Sequence, residues 1–360
     1  MNTPRLLYVL GAESWLGWLP AFLSHPAYDH HLVTDPACVP ELLRATPYRA
    51  VVFLSHHQTL HRDAELAGRL AELSSARIVA HPRAIADLAV DKRKMAGLAS
   101  GLAGLSTIPE IPPETAAALL RRPGGAPLIA KPRRGTEGIG YRTLRSPADA
   151  AGVTEAVASG EMIIQPLIDG VEISVNLIGV AGRVVAYEPV WKGRTGPDEP
   201  HPCLRLRHCP AEPEDEGVAA RAVACCLGLA SRLDLHGLVE IELIWDGQSL
   251  YLLEINPRLS ATMRMTSVAC DRSLFADLGL AAVGLAPPGT WVRATRPAAE
   301  FPCPRHVTPD LRSWLEREEG VWVSSRVTLT ASSRAELDDR LREVQGRLTG
   351  PETDRPVPEP

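Results

Sequence analysis

The chain has 360 residues, of which 45% are hydrophobic and 22% are charged, an ordinary composition for a soluble globular protein of two or three domains. Its formal net charge of −5 argues against a dedicated nucleic-acid surface, which usually carries a basic excess. No apolar stretch is long enough to span a membrane. The seven cysteines lack C-x-x-C spacing, which favours reduced thiols in a cytoplasmic protein.

The first 85 residues alternate short apolar runs with helical stretches. The start of the chain fits a core strand better than a signal peptide, because it lacks a strongly basic lead. Strands are predicted at 5–11, 30–34, 49–55 and 76–82, and helices at 14–24, 36–44 and 61–74. This β-α-β-α alternation predicts a small parallel sheet.

The pattern changes from about residue 86 onwards. The predicted elements are a helix at 87–103, a strand–glycine loop–strand unit at 126–144, strands within 161–191, a loop at 193–217, a helix at 216–234, a hairpin at 237–258 and a helix at 272–285. A strand and a helix follow within 321–348, with Ser332 or Ser333 as the helix N-cap and Glu336 as its reciprocal partner. Four prolines among the last ten residues predict a disordered tail.

Polar residues end the second strand of the hairpin. In an extended strand Glu254, Asn256 and Arg258 share one face. A turn with an odd number of residues, such as Asp246–Gln248, would bring Glu242 to the same face, whereas a two-residue turn would not. The odd register predicts two faces: a core face of Val239, Ile241, Leu243, Trp245, Tyr251, Leu253 and Ile255, and a polar face of Glu240, Glu242, Glu254 and Asn256. Because clustered carboxylates repel one another unless a cation lies between them, the polar face favours magnesium.

A glycine loop follows the apolar strand that ends at Lys131. Gly135, Gly138 and Gly140 would let backbone N–H groups approach phosphate oxygens closely. The loop matches neither the P-loop nor the dinucleotide-binding fingerprint. Lysine is scarce, with only four among 38 basic residues, and a compact ammonium can approach a single phosphate where the guanidinium fork cannot. The loop therefore favours a phosphate site.

The segment IIQPLIDGVEI joins two strands through a short apolar connector. Its backbone groups could meet an adenine edge while Leu167 and Ile168 pack on the ring. Glu172, seven residues after Gln165, could then accept hydrogen bonds from ribose hydroxyls. Together with the glycine loop, this connector favours a nucleotide site.

These segments occur in the order and spacing of a known superfamily. Lys92 in VDKRKM, Lys131 in IAKPRRGTEGIG, the connector QPLIDGVE and the hairpin VEIELIWDGQSLYLLEINPR resemble the ATP-grasp superfamily, and most of all its carboxylate–amine ligases, over about residues 85–285. The resemblance implies an α/β fold with a βαβ domain at 1–85, a two-lobed ATP-grasp domain with antiparallel sheets at 86–288, a C-terminal extension at 289–348 and a tail at 349–360.

The resemblance also implies roles for the matching residues. Lys92 and Lys131 would contact the α- and β-phosphates of ATP, and Arg258 would face the transferred phosphate. Gln165 stands where the family usually has Glu near the adenine amino group, and Glu172 would bind ribose. Glu242, Glu254 and Asn256 would hold two Mg²⁺ ions, with Mn²⁺ as a substitute. Arg133 and Arg134 receive no role.

Lys192 opens a Gly/Pro-rich segment in the sequence. In ATP-grasp enzymes the corresponding loop tends to close over the triphosphate and the substrate. We therefore expect Lys192 on a mobile loop as a catalytic point charge, the alternative being a solvated surface lysine. The paired histidines at 30–31 and 56–57 fit exposed or hydrogen-bonded positions at strand ends better than a metal site.

The predicted activity is that of an ATP-dependent ligase. ATP would phosphorylate a substrate carboxylate, giving ADP and an acyl phosphate, and an amine would then attack to form an amide or peptide bond. The expected partners are small molecules, amino acids among them, with no nucleic acid or membrane, and a homodimer is compatible with the sequence. The alternatives are a carboxylating or kinase-like ATP-grasp enzyme, although no biotin-accepting lysine motif is visible, and a non-catalytic ATP-binding module.

Overall fold

The strands fall into three sheets. The computed structural model describes residues 3–135, 138–212, 215–285, 289–302, 321–323 and 326–348, so the predicted tail lies outside the described residues. The strands are β1 (Arg5–Leu10), β2 (Asp29–Val33), β3 (Ala50–Leu54), β4 (Arg77–Val79), β5 (Leu105–Ser106), β6 (Leu128–Pro132), β7 (Arg142–Leu144), β8 (Met162–Pro166), β9 (Gly170–Val180), β10 (Arg183–Tyr187), β11 (Val190–Thr195), β12 (Arg207–Cys209), β13 (Gly237–Trp245), β14 (Leu250–Asn256), β15 (Trp291–Val292), β16 (Ala298–Pro302), β17 (Val321–Val323) and β18 (Arg326–Thr330).

Helices connect and cover these sheets. The α-helices are α1 (Pro20–Leu23), α2 (Val39–Ala45), α3 (Leu60–Leu73), α4 (Arg83–Ala89), α5 (Lys92–Ala96), α6 (Pro113–Leu120), α7 (Pro147–Ala151), α8 (Thr154–Ala158), α9 (Glu216–Arg232), α10 (Ala261–Ala269), α11 (Leu274–Val283) and α12 (Arg334–Leu348). Short 3₁₀ turns lie at Glu13–Gly17, Pro36–Cys38, Gly97–Ala99 and Pro202–Leu204. None of the described helices combines the length and the apolarity that crossing a bilayer requires.

The first sheet has four parallel strands in the order β2-β1-β3-β4. Both faces are covered, as an all-parallel sheet requires. One face packs against α11, where Phe275 and Leu278 meet Tyr8 and Leu54 in a single buried cluster. This packing attaches the N-terminal sheet to the part of the chain that carries the polar hairpin.

The second sheet is small and antiparallel, in the order β7-β6-β8. Helices α6, α7 and α8 contribute to its core, which includes Leu120, Ala130 and Ile164. The third sheet is large and mostly antiparallel, with β9, β13 and β14 adjacent towards one end of it. The predicted fold class, a small parallel sheet followed by a two-lobed unit with antiparallel sheets, is confirmed.

The C-terminal segment extends the large sheet. Strand β16 pairs with both β12 and β18, and α12 packs on these strands through Leu337 and Val344. The Ser333 hydroxyl accepts a hydrogen bond from the Glu336 N–H at 3.3 Å, which identifies Ser333 as the N-cap of α12. The Glu336 carboxylate in turn accepts one from the Ser332 N–H at 2.9 Å.

One predicted loop contains strand segments. Residues 193–217 were expected to be irregular, yet β11 continues to Thr195 and β12 covers Arg207–Cys209. Strand β11 pairs antiparallel with β9, with an irregularity between Trp191 and Arg194. The Gly- and Pro-rich composition hid these strands, because pairing within a sheet overrides local propensity.

Candidate active site

The hairpin of β13 and β14 has a four-residue turn. Trp245 pairs with Leu250, and the Asp246 carboxylate accepts hydrogen bonds from the Gln248 and Ser249 N–H groups at 2.8 and 2.7 Å. The predicted odd-numbered turn is therefore wrong, since this turn has an even number of residues. By itself such a turn would place Glu242 and Glu254 on opposite faces.

A β-bulge reverses the consequence of that turn. The register shifts between Glu242 and Leu243, so that Leu243 pairs with Leu252 whereas Glu242 pairs with Glu254. Leu253 is the extra residue. Bulges of this kind redirect side chains and are common beside active sites. Glu242 and Glu254 thus lie on the same face, as expected, although the bulge and not the turn places them there.

The bulge also changes the core face of β14. Leu250 and Leu252 lie in the buried cluster with Ile255, whereas Tyr251 and Leu253 were expected there. Tyr251 is only half-buried, and Leu253 lines a cavity. The predicted core positions Tyr251 and Leu253 are therefore wrong, because the alternation of faces reverses at the extra residue.

A cavity of about 330 Å³ lies between the small antiparallel sheet and the large sheet. One end of it is apolar and is lined by Ile108, Ile129, Leu167, Ile168, Ile244 and Leu253. The buried Gln165 also lines it and donates a hydrogen bond from Nε2 to the Ile108 carbonyl at 3.0 Å. The connector expected to meet adenine therefore forms a flat apolar slot with one fixed amide.

Two lysines reach the middle of the cavity from different elements. Lys131 projects from β6, and Lys92 begins α5. The Lys92 ammonium lies 3.2 Å from the Glu254 carboxylate and donates a hydrogen bond to the Gly135 carbonyl at 2.7 Å. Burial lowers the pKa of Lys131 to about 8; Glu254 opposes the shift and the charge of Lys92 adds to it. A polyanion here would meet two ammonium groups.

Arg133 positions Lys92. The Asp91 carboxylate caps α5 by accepting from the Arg93 N–H at 3.1 Å, and it also accepts from Arg133 Nε at 2.9 Å. The Lys92 N–H in turn donates to the Arg133 carbonyl at 3.1 Å. Arg133, for which no role was predicted, therefore connects the glycine loop to the first turn of α5.

The glycine loop bends towards the cavity mouth. Gly135 and Gly138 line the cavity, and Gly138 and Gly140 have φ values of +71° and +79°, which L side chains rarely adopt. Gly140 turns the chain beside Pro132 without lining the cavity. Across the mouth, the ring of Tyr141 stacks on His201 with centroids 5.4 Å apart. The loop thus bridges the small sheet and the segment after β11.

Lys192 is a buried residue of β11. Its side chain is 8% exposed, and its ammonium lies 2.5 Å from a Glu172 carboxylate oxygen and 3.1 Å from one of Glu242. Burial would lower the pKa of Lys192, but Glu172, Glu242 and Glu240 outweigh it and hold the pKa above its ordinary value. The expected mobile-loop position is wrong, and so is the solvated alternative, because the strand continues through Lys192.

Glu172 is held by two cations. Besides Lys192, Arg205 NH1 lies 3.1 Å from its other carboxylate oxygen. Burial raises the pKa of Glu172, but Lys192 and Arg205 outweigh that effect and keep the pKa below its ordinary value. A ribose hydroxyl would therefore meet a carboxylate that is ionised and fixed in place.

The carboxylates expected to hold metal face one another. Glu242 lies opposite Glu254 in the sheet, and burial raises the pKa of Glu242 well above its ordinary value; Lys192 opposes the shift, and the charges of Glu240, Glu172 and Glu254 add to it. A divalent cation would relieve this repulsion, so the donor set fits one. Among the described residues no three His, Cys, Asp or Glu side chains are arranged to hold a metal ion.

Asn256 connects this pair to Glu240 and to Arg258. Its amide nitrogen lies 3.2 Å from Glu242 Oε1 and 3.4 Å from Glu240 Oε2, and its oxygen accepts from Arg258 NH2 at 3.2 Å. Arg258 also lines the cavity. The oxygen predicted as a metal ligand is therefore already hydrogen-bonded to the guanidinium predicted to face phosphate.

Glu240 belongs to the cluster, at its deepest point. It accepts hydrogen bonds from the Ser174 hydroxyl at 2.8 Å and the Thr262 hydroxyl at 2.5 Å. Burial raises its pKa, but Lys192 and these two hydroxyls outweigh that effect and keep the pKa below its ordinary value. Glu240 therefore stays ionised beneath Asn256.

Several cavity residues escaped the sequence reasoning. These are Arg205, Arg207, Ser260, Ala261 and Thr262. The alternation Arg205-x-Arg207 was a usable signal, because alternate residues of an extended segment share a face. The expectation of an irregular loop at 193–217 concealed it.

The small parallel sheet is followed by two further sheets, and the cavity between these two is lined by lysines and carboxylates. Residues 103–262 match the family model of the ATP-grasp domain, so the resemblance to ATP-grasp proteins inferred from the sequence is confirmed. The structure is similar to the L-amino acid ligase from Bacillus licheniformis, with a TM-score of 0.68, 17% identity and coverage of 96% of this chain and 98% of that one.

Two further proteins are similar to this chain, one in sequence and one in structure. A carbamoyl-phosphate synthase from Methanobrevibacter smithii is 25% identical over 235 residues, which are 61% of this chain and 62% of the relative. This chain therefore spans about three fifths of the length of that curated relative. The biotin carboxylase domain of the Hydrogenobacter thermophilus 2-oxoglutarate carboxylase, crystallised with MgADP and bicarbonate, has a TM-score of 0.65 at 13% identity, covering 96% of this chain and 90% of that one.

Proposed function

We propose that this chain is an ADP-forming ligase that uses ATP to phosphorylate a substrate carboxylate and joins the acyl phosphate to an amine. The observation that carries the proposal is the succession of neighbouring groups that line one cavity. At the apolar end, Gln165 pairs with Ile129, two residues before Lys131. Lys92 lies beside Glu254, which faces Glu242, and Asn256 connects Glu242 to Arg258. That succession suits a base, a polyphosphate, its metal and a reacting phosphoryl group.

Each end of the proposed nucleotide has partners of suitable chemistry. Leu167 and Ile168 would pack on adenine, and Glu172 would accept from ribose hydroxyls. Lys92 and Lys131 would neutralise phosphate charge, with the backbone of Gly135 and Gly138 close by. The fixed amide of Gln165 would present its oxygen to the adenine amino group.

Glu242 and Glu254 would hold Mg²⁺, or Mn²⁺ in its place, and the metal charge would offset negative charge that develops during transfer. Asn256 would join this ligand set by turning its oxygen away from Arg258. Arg258, released from Asn256, would then be free to meet the transferred phosphoryl group. No side-chain nucleophile is needed, because positioning and charge stabilisation suffice for phosphoryl transfer.

The reacting carboxylate would lie beside the first turn of α10. Ser260, Ala261 and Thr262 line the cavity there, and Ser260, the N-cap, makes no side-chain capping hydrogen bond within the described chain. Free N–H groups at a helix N-terminus attract anions. An acyl oxygen placed here would be close to Arg258.

The test is ADP release with pairs of carboxylates and amines, amino acids first, with mass spectrometry of the products. We expect ADP release to require both a carboxylate and Mg²⁺. The rate of ADP release should fall at least a hundredfold in Lys131→Ala and in Arg258→Ala. Lys94→Ala is the matched control, because Lys94 is exposed on α5. Tight ATP binding without any carboxylate-dependent turnover would instead identify a non-catalytic ATP-binding module.

A carboxylating enzyme is the second candidate, because one structural neighbour is a biotin carboxylase domain. Bicarbonate-dependent ADP release that no other carboxylate supports would favour it. The same assay therefore separates the two enzymes.

A further inference from the structure

Three guanidinium groups converge on one fully buried carboxylate. Glu300 of β16 is 0% exposed, and its oxygens lie 3.0 Å from Arg207, 2.8 Å from Arg264 and 2.7 Å from Arg326. Among the described residues, one carboxylate thus pairs with three guanidinium groups. Because buried charges require compensation, such an excess favours the binding of a further anion.

The three arginines are not equally satisfied. Arg326 also donates to the Cys203 and Arg205 carbonyls at 2.6 and 2.7 Å, so it fastens the segment before β12. In Arg264, by contrast, Nε and NH1 are buried and have no hydrogen-bond partner in the described structure, and the same holds for Arg207 Nε. Each buried donor left unpaired costs about 1–3 kcal/mol, so these groups need an explanation.

Arg207 connects this cluster to the cavity. It lies on β12 next to the segment of Arg205, and its side chain lines the cavity together with Ser260 and Thr262. Arg205 is already compensated, since it is paired with Glu172. Arg207 therefore differs from Arg205 in its compensation. Within the described structure its carboxylate partner is Glu300, which it shares with two other guanidinium groups.

We propose that Arg207, backed by the excess charge of Arg264, binds a second anionic group of the carboxylate substrate, so that the substrate class is a dianion. The group would be a carboxylate, which the guanidinium fork recognises through paired hydrogen bonds. This inference rests on the proposed function, because it presumes that the reacting carboxylate lies near Arg258. Glu300 then serves to hold the guanidinium groups in place and keep them only partly neutralised.

The binding test uses malonate, a dicarboxylate, against acetate at constant ionic strength, with and without saturating Mg·ADP. Constant ionic strength is needed because salt screens exposed charges. We expect malonate to bind to the wild-type protein, and its Kd to rise at least tenfold in Arg207→Gln while the Kd of Mg·ADP stays unchanged. Arg207→Lys should restore part of the affinity. Arg122→Gln is the control, because Arg122 is exposed on the small lobe. Because Glu300 keeps its contacts with Arg264 and Arg326 in Arg207→Gln, the unfolding midpoint of this variant should change little.

The activity test compares each dicarboxylate with its monoamide in the ADP-release assay: aspartate with asparagine, glutamate with glutamine, succinate with succinamate. We expect a preference for the dicarboxylate of at least tenfold, reduced in Arg207→Gln mainly through KM.

Equal malonate affinity in the wild type and Arg207→Gln would overturn the inference, as would a parallel loss of Mg·ADP binding, which would assign Arg207 to the nucleotide. A preference for the monoamides would also overturn the inference, but it would not contradict the proposed ligase activity. If no carboxylate supported ADP release while malonate binding still required Arg207, the result would count against the proposed function and not against the inference.

Discussion

Replacing Lys192 by Met should destabilise the protein strongly at neutral pH. The ammonium lies 2.5 Å from Glu172 and 3.1 Å from Glu242, with all three side chains at most 13% exposed. Methionine keeps much of the side-chain volume but removes the charge. The substitution therefore leaves two buried carboxylates beside each other, with Arg205 as the remaining partner of Glu172 alone.

The magnitude follows from these distances. At an effective dielectric constant of about 20, each contact is worth roughly 5–7 kcal/mol of attraction, against which several kcal/mol of desolvation per ion must be set. Removing one partner of a buried pair generally costs about 3–5 kcal/mol. We expect a loss of that size in the free energy of unfolding at pH 7.5.

The loss should shrink at acidic pH. In the wild type, Lys192 helps keep the pKa of Glu172 low, so this carboxylate stabilises the fold above its unfolded pKa of about 4.3, and the stabilisation disappears as pH falls through the folded pKa. In the variant, burial without Lys192 raises the pKa of Glu172, and that of Glu242 rises further. A group with a raised pKa loses its stabilising contribution as pH rises. The difference between variant and wild type is therefore smaller at pH 5 than at pH 7.5.

Urea unfolding followed by tryptophan fluorescence at both pH values measures this difference. Lys94→Met serves as the matched control, because Lys94 is exposed, and should change the unfolding free energy by less than about 0.5 kcal/mol. The double variant Lys192→Met with Glu242→Gln should recover part of the loss, since it removes one unpaired charge. A loss below about 1 kcal/mol at pH 7.5, accompanied by a lower kcat and a higher ratio of ADP to amide, would refute the structural reasoning and favour the catalytic point charge predicted from the sequence.

Three further predictions concern neighbouring residues. The kcat/KM for ATP should fall as pH rises through about 8, because Lys131 loses its proton there and with it the charge that attracts phosphate. In Lys131→Arg this decrease on the alkaline side of the pH–rate profile should disappear. Glu254→Gln should raise the Mg²⁺ concentration needed for half-maximal activity far more than Glu240→Gln does. Glu240→Gln should instead lower the free energy of unfolding in urea by about 1–3 kcal/mol, because two hydroxyl groups lose an ionised acceptor. Equal shifts of the two variants in a magnesium titration would place Glu240 among the metal ligands. Arg133→Ala should raise the KM for ATP several-fold with little change in kcat, since it releases Asp91 at the start of α5; an unchanged KM would show that the loop holds its position without this ion pair.

The sequence predicted the fold and much of the site because both rest on local patterns. Alternating apolar runs and helices mark the parallel sheet, and the alternation of Glu254, Asn256 and Arg258 marks one face of a strand. Glycine spacing marks the loop after Lys131. Each of these signals lies within about ten residues of chain.

What escaped prediction depends on contacts between distant segments. The bulge at Leu253 is fixed by the pairing of β14 with β13, and nothing in YLLEIN specifies the extra residue. Lys192 could not be recognised as buried, because its partners Glu172 and Glu242 come from two other strands. Arg133 likewise acquires its role only when Asp91 is brought beside the glycine loop.

Two clusters of buried cations contribute to the cavity lining, the first through Lys192 and the second through Arg207. In the first, Lys192 is balanced by Glu172 and Glu242, so its charge is used to hold carboxylates in position. In the second, Glu300 balances only part of the charge of three arginines, and buried donors of Arg207 and Arg264 lack partners in the described chain. A balanced cluster fixes geometry, whereas an unbalanced one can gain free energy by taking up an anion. The excess of positive charge beside Arg207 therefore makes the part of the cavity that Arg207 lines the candidate determinant of substrate specificity.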